Sequence, residues 1–376
     1  MKDSVPRSSE GWAVGGPCTI VGVDPIRIVL DLVEPLVTAS GVHATRTATI
    51  VRVVLSDGSV GWGENTAPEG DFYTGESAHV SGVHLRGSLR PGILGADVTD
   101  PARFELGLPT DAFPMARHAV SSAVWDARCR ALGIPLAEAL GGSLRPVEVC
   151  AVIGLADSPV LTAEACRRAV EAGYRHLKVK IAPGRDLDVI AAVRDVIGDT
   201  ATLGVDANGS FGVADVGTLV RLGGMGVALV EQPFAAEDVG SHAVLVREGA
   251  VGVGLDESVM TTEDLLRALD IGACTAVNIK PARVGGLARA VAMAELCRDA
   301  GVDAWVGGML ESGIGRGGSL ALATHPAFSL PADLSASSRY FAADITEPFA
   351  LSGGCLMPRG PGIGVVPVPD RLESHH

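Results

Sequence analysis

A repeat of 24–26 residues is the feature that most restricts how this chain can fold. From about residue 144, apolar runs rich in β-branched residues alternate with longer Ala/Leu-rich segments. The runs are VEVCAVIG (147–154), YRHLKVKI (174–181), ATLGVDAN (201–208), GVALVEQP (226–233), VGVGLDES (251–258), CTAVNIKP (274–281) and VDAWVGGM (302–309). This alternation predicts parallel βαβ units and favours an α/β fold with a closed (β/α) barrel. The alternative, a doubly wound open sheet, would need a glycine-rich phosphate loop, and the sequence contains no GxGxxG or Walker motif.

Five charged residues stand where successive strands end: Lys180, Asp206, Glu231, Asp256 and Lys280, spaced by 26, 25, 25 and 24 residues. The C-terminal strand ends of a barrel carry its active site. Three carboxylates at neighbouring ends repel one another unless a cation neutralises them. Oxygen ligands without His or Cys favour Mg²⁺, with Mn²⁺ as the second choice. For any one of these acids taken alone, a solvated loop or a helix cap is the competing interpretation.

Lysine is rare in this chain, since four of the 30 basic residues are Lys and the other 26 are Arg. Lysine can lose its proton at working pH, whereas arginine cannot, so the interior lysines predict acid–base or Schiff-base chemistry. Lys178 and Lys180 point to the same face of a strand, and neighbouring positive charges should lower a lysine pKa. With Lys280 on the other side of the carboxylates, the arrangement suits proton abstraction α to a carboxylate. The competing interpretation is that ordinary surface lysines survived by chance.

Residues outside the repeat predict a second, α+β domain. Segments within 17–64 are β-rich with a tight turn at 56–59, and 116–140 has a helical pattern. The Gly/Pro-rich segment 353–369 is unlike a barrel and is expected to pack back on this domain. The predicted division is an N-terminal capping domain (1–140), a catalytic barrel (141–340) and a C-terminal tail (341–376).

Composition excludes several classes of protein. A net charge of −14 argues against a nucleic-acid or anionic-membrane partner, and no apolar run is long enough to span a bilayer. The polar N-terminus and seven cysteines without a CxxC pair predict a reduced, cytoplasmic protein without a zinc site or disulfide framework.

The motifs KVK, VDAN, VEQP, LDES, NIKPARVGG and GGMLESGIGR, with the tail SASSRYFAADITEPFAL, resemble the enolase superfamily in its muconate-lactonising subgroup. Within it the chain is most similar to the o-succinylbenzoate synthase/N-acylamino-acid racemase family, from about Val21 to Pro369. The resemblance implies a (β/α)₇β TIM-like barrel with a capping domain, a small carboxylate substrate, a homo-oligomer and, for the synthase, menaquinone biosynthesis.

The resemblance also implies roles for individual residues. Asp206, Glu231 and Asp256 would bind Mg²⁺, Lys180 and Lys280 would be the acid–base pair, and Lys178 would tune Lys180. The residues that would approach the substrate are Asn208, Gly308, Met309 and Leu310. Tyr73 is expected in a second capping loop, lining the pocket or packing on the surface. Arg283, three residues after Lys280, would disfavour the protonated form of that lysine if the two lie close.

Both reactions of the family begin with loss of the α-proton to give an enediolate. Dehydration would use Lys180 to remove the proton and protonate the leaving hydroxide, and racemisation would use Lys180 and Lys280 on opposite faces. Dipeptide epimerisation and muconate cycloisomerisation remain alternatives, although Asp333-Leu334-Ser335 lacks the second Asp of a dipeptide epimerase. A Schiff-base lyase and a non-catalytic barrel are the more distant alternatives. Val37, Ser40 and Val152 depart from the family pattern and leave the specificity for the acyl group open.

Overall fold

An antiparallel sheet of three strands begins the fold in the computed structural model, which describes residues 16–38, 41–70 and 74–373. The strands are β1 (Ile20–Thr38), β2 (Gly41–Leu55) and β3 (Val60–Asn65), paired in the order β1-β2-β3. The predicted turn at 56–59 joins β2 to β3, with Gly58 at a φ of 85° and the Asp57 carboxylate accepting from the Ser59 N–H at 2.9 Å. Only glycine takes this left-handed conformation without strain, so the turn fixes the register of the hairpin.

Helices cover one face of this sheet. They are α1 (Ala78–His84), α2 (Arg90–Ile93), α3 (Pro101–Gly107), α4 (Pro114–Ala131) and α5 (Leu136–Ala139), with a π-helical turn at Leu85–Leu89. The long helix α4 packs directly on β3 because Gly61 and Gly63 carry no side chain there. A Cβ at either position would lie about 2 Å from a carbonyl oxygen of α4. The predicted α+β capping domain is therefore confirmed.

The repeat forms a parallel sheet of seven strands in sequential order, preceded by the short strand β4 (Val147–Glu148). They are β5 (Cys150–Ile153), β6 (His176–Lys180), β7 (Thr202–Asp206), β8 (Val227–Glu231), β9 (Gly252–Leu255), β10 (Ala276–Ile279) and β11 (Asp303–Val306). The segment at Ala332 and Asp333 bridges the two edges. The Asp333 N–H donates to the Val306 carbonyl at 2.9 Å, and the Cys150 N–H donates to the Ala332 carbonyl at 2.8 Å. The sheet thus curls into a barrel, as predicted, and is not open.

Helices on the outside follow the strands. They are α6 (Pro159–Glu171), α7 (Leu187–Ile197), α8 (Val216–Gly224), α9 (Val239–Glu248), α10 (Thr262–Asp270), α11 (Pro281–Val284), α12 (Leu287–Asp299) and α13 (Gly313–Leu322). Local sequence sets where they begin: at α10, Thr261 and Asp264 accept each other's backbone N–H groups at 3.0–3.1 Å, a capping box. One continuous apolar core joins barrel and helices.

The C-terminal segment carries α14 (Ser337–Tyr340), β12 (Cys355–Leu356) and α15 (Pro369–Glu373), and β12 pairs with β4. It also contacts α4, where the Asp126 carboxylate accepts the Ile363 N–H at 2.8 Å and the Arg130 guanidinium donates to the Val365 carbonyl at 2.6 Å. The exact domain boundaries stay predictions. None of the helices in the described ranges combines the length and apolarity needed to cross a membrane.

Candidate active site

The structure places the five charged residues of the repeat at one end of the barrel. Lys180, Asp206 and Glu231 are the last residues of β6, β7 and β8, and they face one another in register across the sheet. Asp256 and Lys280 directly follow β9 and β10. Because the strands are parallel, all five lie at the C-terminal ends, where a barrel carries its reactive groups.

Lys180 lies at the open side of this row. Its Nζ donates to Asp206 Oδ2 at 2.8 Å and to Asn208 Oδ1, and its side chain is 36% exposed. Burial disfavours the charged form of Asp206, but Lys180 and Lys178 outweigh it and hold the pKa of Asp206 below its usual value. Lys180 therefore has two anchors, one charged and one neutral.

Lys178 is buried between two acids. Its Nζ donates to Glu231 Oε2 and to Asp333 Oδ2, both at 2.6 Å, and the Trp305 indole donates to the same Asp333 oxygen at 2.9 Å. Burial opposes the ammonium, yet Asp333, Glu231 and Asp206 outweigh it and raise the pKa of Lys178 well above its ordinary value. The lowered lysine pKa expected from neighbouring positive charges is therefore wrong for Lys178, because carboxylates surround it more closely than Lys180 does.

Lys280 is held from the other side of the row. Its Nζ donates to Asp256 Oδ2 at 2.8 Å, and the Arg283 guanidinium donates to the other oxygen of Asp256. Burial acts against the Asp256 carboxylate, but Lys280 and Arg283 outweigh it and keep the pKa of Asp256 low. Arg283 is buried and also donates to the Asn278 carbonyl at 2.6 Å. Its printed contacts connect it to Lys280 through Asp256, so the structure gives Arg283 no contact of the substrate-facing kind.

Glu231 occupies the middle of the row and is buried. Asn278 Nδ2 donates to its Oε1 at 2.8 Å. Burial raises the pKa of the Glu231 carboxyl to about 8, with Lys178 opposing the rise and Asp206 and Asp256 adding to it. A carboxylate in such surroundings is stabilised by a nearby cation.

The donor set of Asp206, Glu231 and Asp256 fits Mg²⁺ in chemistry, since it supplies only carboxylate oxygens from consecutive strand ends. Each of the three is turned toward a lysine, and in the described part of the chain no group of three or more His, Cys, Asp or Glu side chains is spaced to hold a metal ion. Metal binding would therefore compete with these ion pairs.

The loop after β11 lies against Lys280. A Cβ at Gly307 would come within 2.0 Å of Asn278 Oδ1 and 2.7 Å of Lys280 Cγ, so only glycine fits. The Met309 N–H donates to Glu311 Oε1 at 2.8 Å, and Leu310 has a left-handed φ of 56°. Gly308, Met309 and Leu310 are therefore beside one of the two lysines, on the side of the capping domain.

Some predicted residues fall elsewhere. Tyr73 lies outside the described residues, as do Ser40 and the side chain of Val37. Val152 lies on β5, where its carbonyl accepts from the Arg339 guanidinium at 2.8 Å. The residue that sequence analysis missed is Asp333, the partner of Lys178. It stands 53 residues after Lys280, two periods of the repeat, so extending the spacing would have indicated it.

Two family models cover most of the chain. Residues 24–141 match the mandelate racemase/muconate lactonizing enzyme N-terminal domain, and residues 161–371 match the enolase C-terminal domain-like family.

Individual relatives span nearly the whole length. The chain is 39% identical to an N-succinylamino acid racemase from an Amycolatopsis species, covering 94% of this chain and 96% of the relative. It is 38% identical to an o-succinylbenzoate synthase from Geobacillus stearothermophilus, with 89% and 90% covered. A crystal structure of an enolase superfamily member from Listeria innocua has a TM-score of 0.88 at 31% identity, covering 95% of this chain and 97% of that one. The resemblance seen in the sequence is confirmed: the chain belongs to the mandelate racemase/muconate lactonizing enzyme family and is an enzyme of the enolase superfamily.

Proposed function

We propose that this enzyme removes the proton α to the carboxylate of a small substrate, acting as an N-succinylamino acid racemase, an o-succinylbenzoate synthase, or both. The observation that carries the proposal is the pair Lys180 and Lys280. The two amines flank three carboxylate-bearing strand ends, and each is hydrogen bonded to the outer carboxylate on its own side. Relatives with both names cover about nine-tenths of the chain at 38–39% identity.

Mg²⁺ is the proposed cofactor, with Asp206, Glu231 and Asp256 as its ligands and Mn²⁺ as a substitute. A divalent ion held there would stabilise the negative charge that develops on the substrate carboxylate. The raised pKa of Glu231 supports this assignment, since that buried acid carries its charge more readily beside a cation.

Racemisation requires one lysine on each face of the α-carbon. A neutral amine on one side takes the α-proton, and the ammonium on the opposite side delivers a proton to the planar anion. Lys180 and Lys280 come from strand ends separated by those of β7, β8 and β9, which supports their acting from opposite sides.

Dehydration needs only one of these lysines for proton transfer. Lys180 would remove the α-proton, and the same amine would then give that proton to the hydroxide leaving from the β-carbon, so that water is released and a double bond forms. Lys280, kept as an ammonium by Asp256, would stabilise the anion electrostatically.

Other reactions of the family are disfavoured by particular contacts. Asp333, the acid nearest to the position that grips the substrate ammonium in dipeptide epimerases, is already occupied by Lys178 and Trp305. A Schiff-base mechanism would leave the three carboxylates unexplained. Muconate cycloisomerisation stays an alternative for the assay. A homo-oligomeric state and a cytoplasmic location stay predictions from the sequence.

The test is deuterium incorporation at the α-carbon in D₂O with Mg²⁺. The substrates are both enantiomers of N-succinyl and N-acetyl amino acids, with the dehydration substrate of o-succinylbenzoate synthase and muconate assayed in parallel. We expect Lys180→Ala and Lys280→Ala to abolish racemisation, while Arg221→Ala, on the exposed surface of α8, leaves it unchanged.

The outcomes separate the candidate functions. Exchange and turnover of both enantiomers establish the racemase, and dehydration with little exchange on amino acids establishes a dedicated synthase. Turnover that survives Lys280→Ala would contradict the two-base mechanism. Irreversible trapping of the substrate on a lysine by borohydride would establish a Schiff base and overturn the proposal, as would silence on the whole panel with metal bound.

A further inference from the structure

Glu257 is an acid of the site that the proposed reaction does not use. It lies between Asp256 and Ser258 in the turn after β9. Its Oε1 accepts a hydrogen bond from Asn208 Nδ2 at 3.1 Å, and its Oε2 is buried without a hydrogen-bond partner among the described residues. Of its two oxygens, one is therefore committed to Asn208.

Asn208 connects Glu257 to Lys180. Its Oδ1 accepts from Lys180 Nζ while its Nδ2 donates to Glu257. A carboxylate can only accept and an ammonium can only donate, so these two neighbours allow a single orientation of the amide. With Glu257 removed, nothing on that side would keep the amide oxygen turned toward the lysine.

The backbone of Asn208 is held as firmly as its side chain. Its φ is 43°, a left-handed conformation in which Asn is one of the few tolerated residues. Its N–H donates to Asp206 Oδ1 at 3.0 Å, and the next N–H, of Gly209, donates to the Gln232 carbonyl at 2.7 Å. The amide therefore starts from a fixed point.

The only glutamine of the chain fixes the other end of the connection. Gln232 Oε1 accepts the N–H groups of Asp256 and Ser258, at 2.9 and 3.2 Å, on either side of Glu257. Its Nε2 donates to Ser258 Oγ at 2.7 Å. The turn that carries Glu257 is thus tied to the end of β8.

Lys280 has no such connection among its printed contacts. It is bonded to Asp256, whose other oxygen accepts from Arg283. The chain Glu257–Asn208–Lys180 consequently reaches one of the two lysines, and the two amines are held by different groups.

We propose that Glu257 is a positioning residue for Lys180, acting through Asn208, and that it serves proton transfer on the Lys180 face of the substrate alone. The inference rests on the proposed function, since it assumes that the two lysines act on opposite faces. What it adds is a residue whose loss separates the two faces.

The experiment measures α-proton exchange in D₂O for each enantiomer separately. The variants are Glu257→Met, which removes the acceptor, Glu257→Gln, which keeps an acceptor oxygen, and Asn208→Ala. The control is Glu263→Gln, which removes an exposed acid at the start of α10.

In Glu257→Met and Asn208→Ala we expect exchange of one enantiomer to fall about tenfold, roughly what a hydrogen bond to an ionised group is worth. Exchange of the other enantiomer should stay within about twofold, a difference too small for the loss of such a bond. Racemisation should slow in both directions because it needs both lysines, and kcat should fall with KM nearly unchanged. Glu257→Gln should restore most of the exchange.

Three results would overturn the inference. An equal loss for both enantiomers would make Glu257 a general support of the site or of its metal. Equal loss in Glu257→Gln and Glu257→Met would mean that its charge matters and not its acceptor. Unchanged exchange in Glu257→Met and Asn208→Ala would remove the role altogether.

A second measurement is independent of turnover. The chain has four lysines, so acetylation by acetic anhydride can be followed at each by peptide mapping. Glu257→Met should make Lys180 acetylate faster, because its ammonium loses an anchor, and leave Lys280 unchanged. If the wild-type enzyme exchanges neither enantiomer, the proposed function fails, and an unchanged Lys180 rate in Glu257→Met would then refute the positioning role separately.

Discussion

Glu105 joins the capping domain to the barrel, and its loss should be costly. This buried carboxylate on α3 accepts three hydrogen bonds at 3.0–3.1 Å, from the Trp125 indole and from the backbone N–H groups of Leu287 and Arg289 at the start of α12. Each buried donor left without a partner costs about 1–3 kcal/mol. Because burial of the carboxylate itself is unfavourable and raises its pKa, the losses are partly offset, and we expect Glu105→Ala to lower the free energy of unfolding by about 3–5 kcal/mol.

Gly286 provides a second perturbation of the same contact. A Cβ there would lie 2.1 Å from Glu105 Oε1 and 2.2 Å from its Cδ, and the three nearest atoms all belong to Glu105. Gly286→Ala should therefore displace the carboxylate and cost about 1–3 kcal/mol or more through overpacking. In the Glu105→Ala background those atoms are gone, so the added methyl group should cost almost nothing.

The assay is urea unfolding of the two single variants and the double variant, followed by tryptophan fluorescence and by far-UV circular dichroism. The double-mutant cycle should give a coupling free energy of about 1–3 kcal/mol. Gly217→Ala on α8, where a Cβ meets nothing within 4 Å, is the control and should be neutral or slightly stabilising. Additivity within about 0.5 kcal/mol, or a loss below about 1 kcal/mol for Glu105→Ala, would refute the reasoning.

Three further predictions concern protonation, thiol reactivity and metal. Burial, with Glu311 adding to it, raises the pKa of Glu64 from 4.5 to about 7, so its contribution to stability is present below pH 4.5 and lost as pH rises to 7. The difference in free energy of unfolding between wild type and Glu64→Gln should change by about 3 kcal/mol across that window, and a parallel pair of curves would contradict it. Cys355 is the one cysteine that is not buried, and burial raises the pKa of Cys274 and of Cys297 to about 12, so iodoacetamide at pH 7 should modify Cys355 first and all seven only after unfolding. Mg²⁺ should raise the Tm by binding the native state, and Asp206→Asn should weaken that rise, whereas an equal rise in both would remove Asp206 from the ligand set.

Much of the fold follows from local sequence. Each βα unit is a short apolar strand followed by an amphipathic helix, and a strand of four or five residues with its helix and loops fills 24–26 residues. Parallel strands of this kind bring equivalent positions to the same end, which is why spacing alone placed Lys180, Asp206 and Glu231 together. The barrel and the capping domain were predictable for the same reason.

The details of the site were not predictable, because they depend on residues that the closed ring brings together. Lys178 bonds to Asp333 across 155 residues, and this contact exists only because the segment at Asp333 bridges the first and last strands. It also reverses the expected direction of the Lys178 pKa, since spacing reveals the neighbouring lysine but not the buried acids around it.

The sequence by itself determined which chemical groups this enzyme has at the mouth of its barrel, because strand length and βα period are local properties. The tertiary structure decided which of these groups are partners. Glu64 of the capping domain accepts from Ser312 of the barrel 248 residues away, and Glu257 reaches Lys180 only through Asn208. Pairings of this kind depend on burial and on packing between distant segments, and hydrophobic periodicity carries no information about either.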